Sequence, residues 1–353
     1  MASLAPPTDI ALVSLGTTPG LRRADEALAE LVREAGASCE VVGVPIGRAG
    51  RLRRQTAVTD LVEALAARRA ARDVRARAIV YSTVTAALLA RHRMPYAVRF
   101  DSPAALNRPG RSGAWQRARE RRVLRGARLL LPWGATAARA VPAEVTAPGG
   151  PAVVRLPVPL DEVTPAPARD IDAVAYAGYP RKRGLELLCR AFAEAAPRGA
   201  RLVVGGIDRE RGLRWLERDA IAEPEGIEWV GALPRADWLA LVARARVLVN
   251  ASRWEDHGLT QLEALAAGTA LVTVPSPGAY EALAPARMLD GRLVAGDVSA
   301  EALVPALRAG LGLDAAQLAA YGLRARVLLA PYRRDAVAAT LSGTVLPALG
   351  VRP

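Results

Sequence analysis

Lysine is almost missing from this chain: of its 48 basic residues over 353 positions, only Lys182 is not an arginine. So uniform a bias is most simply a coding-composition effect, and it assigns no function. Aromatic residues make up only 4%, and no recognisable nucleic-acid-binding module appears, which speaks against a nucleic-acid partner. The two cysteines, Cys39 and Cys189, lie far apart without metal-ligand spacing, which excludes a disulfide framework and fits a reducing compartment. No uninterrupted apolar run approaches the ~18 residues of a spanning helix. The opening MASLAPPTD lacks the basic-then-apolar layout of a secretory signal. The expected location is therefore cytoplasmic.

What is present is 51% hydrophobic residue, mostly Ala, Leu and Val, in a chain long enough for two domains with well-developed cores. The net charge of +13 is unevenly distributed. Residues 1–160 hold 25 arginines against 12 acids, whereas residues 161–353 hold 23 basic and 23 acidic residues. Two stretches carry much of the excess: RAGRLRRQ (48–55), and RPGRSGAWQRARERRVLRGAR (108–128) with eight arginines against Glu120 alone. Such asymmetry points the first half towards something anionic. A solvated arginine-rich face is the plainer alternative.

Periodicity divides the chain. DIALVSLG (9–16) reads as a strand, followed by the glycine-bounded loop GTTPG, the helical pattern ADEALAELVREAG and a second strand, CEVVGVPI (39–46). Further strands are expected at 78–83, 95–100 and 127–133, completing a Rossmann-like domain over 1–160 in which Gly16 and Gly20 are candidate ligand contacts. Closely spaced prolines between 142 and 170 forbid a long helix and read as an interdomain linker. A second strand–helix alternation begins with AVAYAGYP and runs over 161–325, giving a second Rossmann-like domain. The amphipathic tail, 326–353, is expected to return to the first domain.

One segment of the second domain is chemically pointed. SRWEDHGLTQLEALAAGT (252–269) follows the valine-rich strand ARVLVN and precedes the strand ALVTV, so it belongs to a βαβ unit whose helix starts near Gly258 and stops at Gly268. Glu255 then lies in the loop at a strand's carboxyl end and Glu263 in the first helical turns. Open doubly wound sheets bind ligands in that crevice, and a helix N-terminus there favours phosphate. Acids beside an anion seat make sense if backbone amides meet a phosphate while the carboxylates accept from neutral hydroxyls, as on a ribose and a sugar. Acids in a first turn also serve as dipole caps.

In order and spacing, EDHGLTQLE, LEALAAGTALVTVPSPGAYEAL and the flanking VGALPRADWLALVARARVLVNAS and RLVAGDVSAEALVPAL resemble the retaining GT-B glycosyltransferases of the family 4 type, the glycosyl transferases group 1. The resemblance implies two Rossmann-like domains and a hexosyltransferase that takes its sugar from a nucleotide-diphosphate donor, with no further cofactor. It implies that Glu255 contacts donor-sugar hydroxyls, that Glu263 contacts the ribose, and that the amides of His257, Gly258, Leu259 and Thr260 meet the diphosphate. The family places an arginine and a lysine after the first strand of the second domain. Here AGYPRKRG puts Tyr179 at the arginine position and Arg183 at the lysine position, with Arg181 and Lys182 as compensating charges.

A family histidine near the reacting carbon has no counterpart, since VRFDSP reads Phe100 then Asp101. Asp101 is the candidate acceptor-side acid, with a turn-forming role as the alternative. His92 reads as a surface helix residue and His257 as pocket-lining. Asp170 and Asp172 spell D-x-D at a linker-to-strand junction and are read as chance, with no metal expected. Trp115 among arginines gives residues 108–128 an interfacial character, so the acceptor is expected to be anionic or lipid-linked, with peripheral contact at an anionic membrane. The competing functions are a nucleotide-sugar epimerase of GT-B-like fold and a non-catalytic binder of an anionic surface.

Overall fold

The computed structural model describes residues 7–45, 56–91, 94–163 and 169–352. His92 and the basic stretch 48–55 lie outside them. The chain divides into two compact units, Met1–Pro159 with Tyr332–Pro353, and Leu160–Pro331.

The sheet of unit 1 has the order β2-β1-β3-β4-β5-β6, formed by β1 (Thr8–Ser14), β2 (Cys39–Gly43), β3 (Ala76–Tyr81), β4 (Tyr96–Phe100), β5 (Leu129–Pro132) and β6 (Ala152–Val153). Every neighbouring pair is parallel. The near-continuous apolar runs of β1 and β3 to β5 follow from burial on both faces of such a sheet. β6 corrects the reading of 142–170 as linker throughout: Ala152 and Val153 pair with Leu129 and Leu130, and Ala143–Thr146 forms a helical turn. Prolines flanking a two-residue edge strand cost it no ladder hydrogen bond, so composition alone concealed it. β2 stops at Gly43, short of the expected 46.

Unit 2 has the order β11-β10-β7-β8-β9, built from β7 (Ile171–Tyr176), β8 (Leu202–Gly205), β9 (Ile227–Gly231), β10 (Ala245–Asn250) and β11 (Ala270–Thr273), again all parallel. The chain builds outward from β7 through β8 to β9, then returns to the far side of β7 as β10. Connections leaving β7 and β10 therefore diverge to opposite sides, and the crevice between their carboxyl ends is the switch point where ligands bind. Asp170 and Asp172 sit at the opposite, amino end of β7. Asp170 pairs with Arg244 and Asp172 accepts from Arg201 N at 3.0 Å, so both are engaged in structural bonds.

The tail forms a helix, Arg334–Thr340, a π turn, Leu341–Val345, and a last helical turn, Leu346–Ala348. Its apolar side supplies Val337, Leu341, Val345, Leu346 and Leu349 to the same core as Ile10, Leu12, Leu28 and Leu31. Arg334 adds contacts to Glu30 and Glu34 of the helix Pro19–Glu34. Because these late residues fill the first core, Leu341→Ala should destabilise unit 1 by about 2–5 kcal/mol through loss of burial plus a residual cavity. Urea unfolding followed by tryptophan fluorescence checks this, and a midpoint equal to that of the parent chain would refute it.

Candidate functional site

At the switch point of unit 2 two connections are fastened side by side. The first leaves β7 through Ala177 and Gly178 into a one-turn helix, Pro180–Arg183, and Gly184. The second leaves β10 through 251–258 into the helix Leu259–Ala266. Arg253 N donates to Lys182 O at 2.9 Å, and Lys182 Nζ donates to Asp256 Oδ2 at 2.7 Å. The Arg253 guanidinium holds Glu186 Oε1 at 2.5 and 2.8 Å, and Arg183 pairs with Glu255. Gly184 (φ +61°) permits this approach, since a Cβ there would collide with the Ala251 carbonyl oxygen.

Glu255 is 2% exposed. A carboxylate withdrawn from water to that degree must be paired and hydrogen-bonded. Besides Arg183, its Oε1 receives Gln261 Nε2 at 3.0 Å and lies 2.9 Å from the Ser252 hydroxyl. That hydroxyl is also 2.6 Å from Asn250 Oδ1, so one proton is shared between two acceptors. Asn250 Nδ2 donates onward to Thr273 Oγ1 at 3.0 Å and to the Tyr280 hydroxyl at 3.3 Å. Burial drives the Tyr280 phenol far above its ordinary value and keeps it a neutral hydrogen-bonding group. The same ring packs against Gly258 (φ +85°), where a Cβ would come within 2.7 Å of it. Glycine is thus required where the loop turns into the helix. Leu259 and Thr260 follow in the first turn, whose amides have no intrahelical acceptor. His257 is buried, and its carbonyl accepts from Glu281 N at 3.0 Å.

Glu263 lies one turn into this helix at 3% exposure, with Arg235 Nη2 2.7 Å from its Oε1. Arg235 is the first residue of the helix Arg235–Arg244, which leads from β9 towards β10. Its Nε and Nη2 also donate to Asp161 Oδ2 at 2.9 and 2.8 Å. Burial opposes the charge of Arg235, but Glu263 and Asp161 together outweigh it and hold its pKa above the usual arginine value.

The structure therefore brings Glu255, Glu263, Lys182, Arg183 and the 257–260 backbone to one sheet edge. Arg181 is exposed in the one-turn helix. Two features go beyond the sequence reading. Arg183, read there as a diphosphate contact, is also paired with Glu255, and Arg235 was passed over inside a segment read only as a helix. The available signal was a cation opening a helix, where the dipole favours acids.

Gly16, Gly20 and Asp101 belong to unit 1. Asp101 follows β4 and its Oδ1 accepts from Ser102 N at 2.8 Å, the turn-forming arrangement read as its alternative. Gly16 (φ +53°) follows β1, and its carbonyl accepts from Arg22 at 2.8 Å. Gly20 lies in the first turn of the next helix, capped by Thr18. Sequence reading missed Asp25, which is 2% exposed, receives Ser14 Oγ at 2.5 Å and lies 3.8 Å from the buried Arg99. Burial raises the Asp25 carboxyl above its ordinary value. A cavity of about 430 Å³ opens here, lined by Ser14, Gly16, Arg22, Asp25 and Val44.

The arginines of 108–128 are mostly spent on the fold. Arg108 forks onto Asp60 at 2.7 and 2.8 Å, Arg117 and Arg119 donate to the Gly110 and Leu88 carbonyls at 2.9 and 2.8 Å, and Arg125 and Arg128 donate to the carbonyls of Glu144 and Ala348. Arg111, Arg122 and Trp115 remain exposed on the helix Ala114–Arg125 and the turn before it. Among the described residues, no helix is long and apolar enough to cross a membrane.

Two parallel α/β units of this order define a GT-B fold, the plan of a large class of glycosyltransferases. Residues 171–312, spanning the whole switch-point site, match the family model described as glycosyl transferases group 1. Among solved structures the chain is similar to the sucrose-phosphate synthase of Thermosynechococcus elongatus (TM-score 0.72, 18% identity, covering 97% of this chain and 99% of that one). It is also similar to HepE of Anabaena, solved with UDP and glucose (0.65, 14%, 96% and 99%), and to WaaG, a glycosyltransferase involved in lipopolysaccharide biosynthesis (0.66, 15%, 95% and 100%). At these identities the likeness establishes the fold. No curated protein matches the chain in sequence.

The fastening of the two connections generates a prediction. Gly184→Ala adds a strained φ and a collision with Ala251, so it should cost about 2 kcal/mol or more. Gly291→Ala, with no atom near the added Cβ, should be close to neutral. Urea midpoints of the two variants provide the comparison, and equal midpoints would contradict the account.

Proposed function

We propose that the protein is a retaining, metal-independent hexosyltransferase that draws a sugar from a nucleotide-diphosphate donor bound by unit 2 and passes it to an acceptor bound by unit 1. The observation that carries this reading is the pair of buried carboxylates, Glu255 and Glu263, flanking the helix start at Gly258 on the switch-point edge. The family match over 171–312 and the GT-B fold support glycosyl transfer as the reaction class. HepE, as solved, holds UDP and glucose, the two halves of such a donor.

Each part has a physical task. The amides of Gly258, Leu259 and Thr260 and the positive end of their helix receive the diphosphate. Arg181, which is exposed, and Lys182 and Arg183, drawn from their pairs with Asp256 and Glu255, supply positive charge to it. As the anomeric carbon–oxygen bond breaks, negative charge grows on the leaving diphosphate, and the helix-start amides, already in place, stabilise it together with these cations. Glu255 accepts from sugar hydroxyls and Glu263 from the ribose. The acceptor hydroxyl is taken up in unit 1, where the cavity beside Ser14 and Asp25 offers a polar seat.

Two measurements test this. Purified protein incubated with UDP-, ADP- and GDP-sugars should release free nucleoside diphosphate from one of them, and that donor should raise the unfolding temperature. Glu255→Gln should reduce donor use by about tenfold or more, the value of a charge-assisted hydrogen bond. Neither turnover nor thermal protection by any of the three donor classes would overturn the assignment.

For the acceptor we propose a lipid-linked or anionic molecule at a membrane surface, approached through the helix Ala114–Arg125. Trp115 is 37% exposed there, near Arg111 and Arg122. With most neighbouring arginines engaged internally, attachment should be weak, on the order of 1 kcal/mol for each free arginine. Sedimentation with anionic vesicles at low salt should show binding that moderate salt and Trp115→Ala each diminish. Equal sedimentation with neutral and anionic vesicles would discard the idea.

A further inference from the structure

We propose that Arg235 is a positioning residue for nucleotide recognition: it fixes the direction of Glu263 so that this carboxylate can select a ribose over a sugar lacking the cis-diol. The inference rests on the donor reading of Glu263 given above.

The geometry is specific. Glu263 sits in a helix that otherwise presents Leu262, Ala264 and Leu265 to the core, all fully buried. A carboxylate in such surroundings needs a partner of opposite charge. Arg235 lies 2.7 Å from Glu263 Oε1 and is that partner. A carboxylate offers about four lone-pair sites, so a guanidinium on Oε1 does not exhaust its capacity to accept.

Arg235 is itself constrained. Its Nε and Nη2 are both turned onto Asp161 Oδ2, which fixes the plane of the guanidinium and hence the rotamer of Glu263. Pro234, immediately before it, sets the direction in which the helix leaves β9. A cation at this helix start works against the dipole, and the ion pairs with Glu263 and Asp161 offset that cost. Asp161 is the second residue of unit 2, so the same guanidinium also ties the ribose acid to the start of its unit.

The test is calorimetric titration of the full chain with UDP, ADP and GDP, and with the 2′,3′-dideoxy form of each. The wild-type protein should bind one ribonucleotide better than its dideoxy form. Arg235→Gln should weaken that ribonucleotide by about tenfold or more while leaving the dideoxy form unchanged. Glu263→Gln should do the same, and the double variant should lose no more than either single one, the mark of two residues acting as a unit. Asp161→Asn, which releases only the guanidinium's anchor, should give a smaller loss of the same selective kind and serves where Arg235→Gln folds poorly. Equal weakening of ribo and dideoxy forms, or additive losses in the double variant, would overturn the positioning role while leaving the donor site intact. Absence of ribose discrimination in the wild type would remove the donor reading of Glu263, and this inference with it.

Discussion

Withdrawing two carboxylates from water at one sheet edge is the constraint around which unit 2 is arranged. An uncompensated buried charge costs several kcal/mol, and neither Glu255 nor Glu263 has a cation on its own helix or loop to answer it. The cations arrive from elsewhere: Arg183 from the connection after β7, and Arg235 from the helix after β9. Both deliveries need the strand order β11-β10-β7-β8-β9. β7 must lie beside β10 for its connection to reach Glu255, and the chain must return from β9 to β10 for Arg235 to pass over Glu263. The required glycines follow from the same demand, because Gly184 lets one connection press against Ala251 and Gly258 lets the other turn beneath Tyr280.

Much of this was legible in the sequence because it is locally encoded. Apolar runs of strand length, Gly258 and Gly268 bounding a helix, and the spacing of the two acids each depend on neighbours within a few residues. The partners of those acids were not legible. Arg183 and Glu255 are 72 positions apart, and nothing in periodicity pairs them. Only the switch in strand order does so, and the family pattern, which gave Arg183 a diphosphate role, said nothing of this pairing. The charge count of the first half does not tell which arginines are free to meet a partner, for a related reason. An arginine scores the same whether it faces solvent or, like Arg119 donating to the Leu88 carbonyl, fastens one segment to another. Likewise β6 and Asp25 carry no local signal. β6 is two residues between prolines, and Asp25 reads as one more polar position on an amphipathic helix until β1 brings Ser14 against it.

The ion pair between Arg183 and Glu255 bears directly on how a donor would enter. Each residue satisfies the other, so neither cation nor anion is left buried and unanswered. On the reading proposed above, a donor brings both complements together, a diphosphate for the arginine and neutral hydroxyls for the carboxylate. The exchange gives each buried group a new hydrogen-bonding partner, so neither is left unanswered when the pair opens. A ligand offering only one complement fares worse. A bare anion that captured Arg183 would strip Glu255 of its cation, leaving Ser252 and Gln261 as its remaining partners. A free sugar would compete for Glu255 against an arginine already in place. On that reading the pairing favours molecules in which diphosphate and sugar are joined, and the discrimination arises from the two residues being bound to each other rather than from the contacts either makes alone.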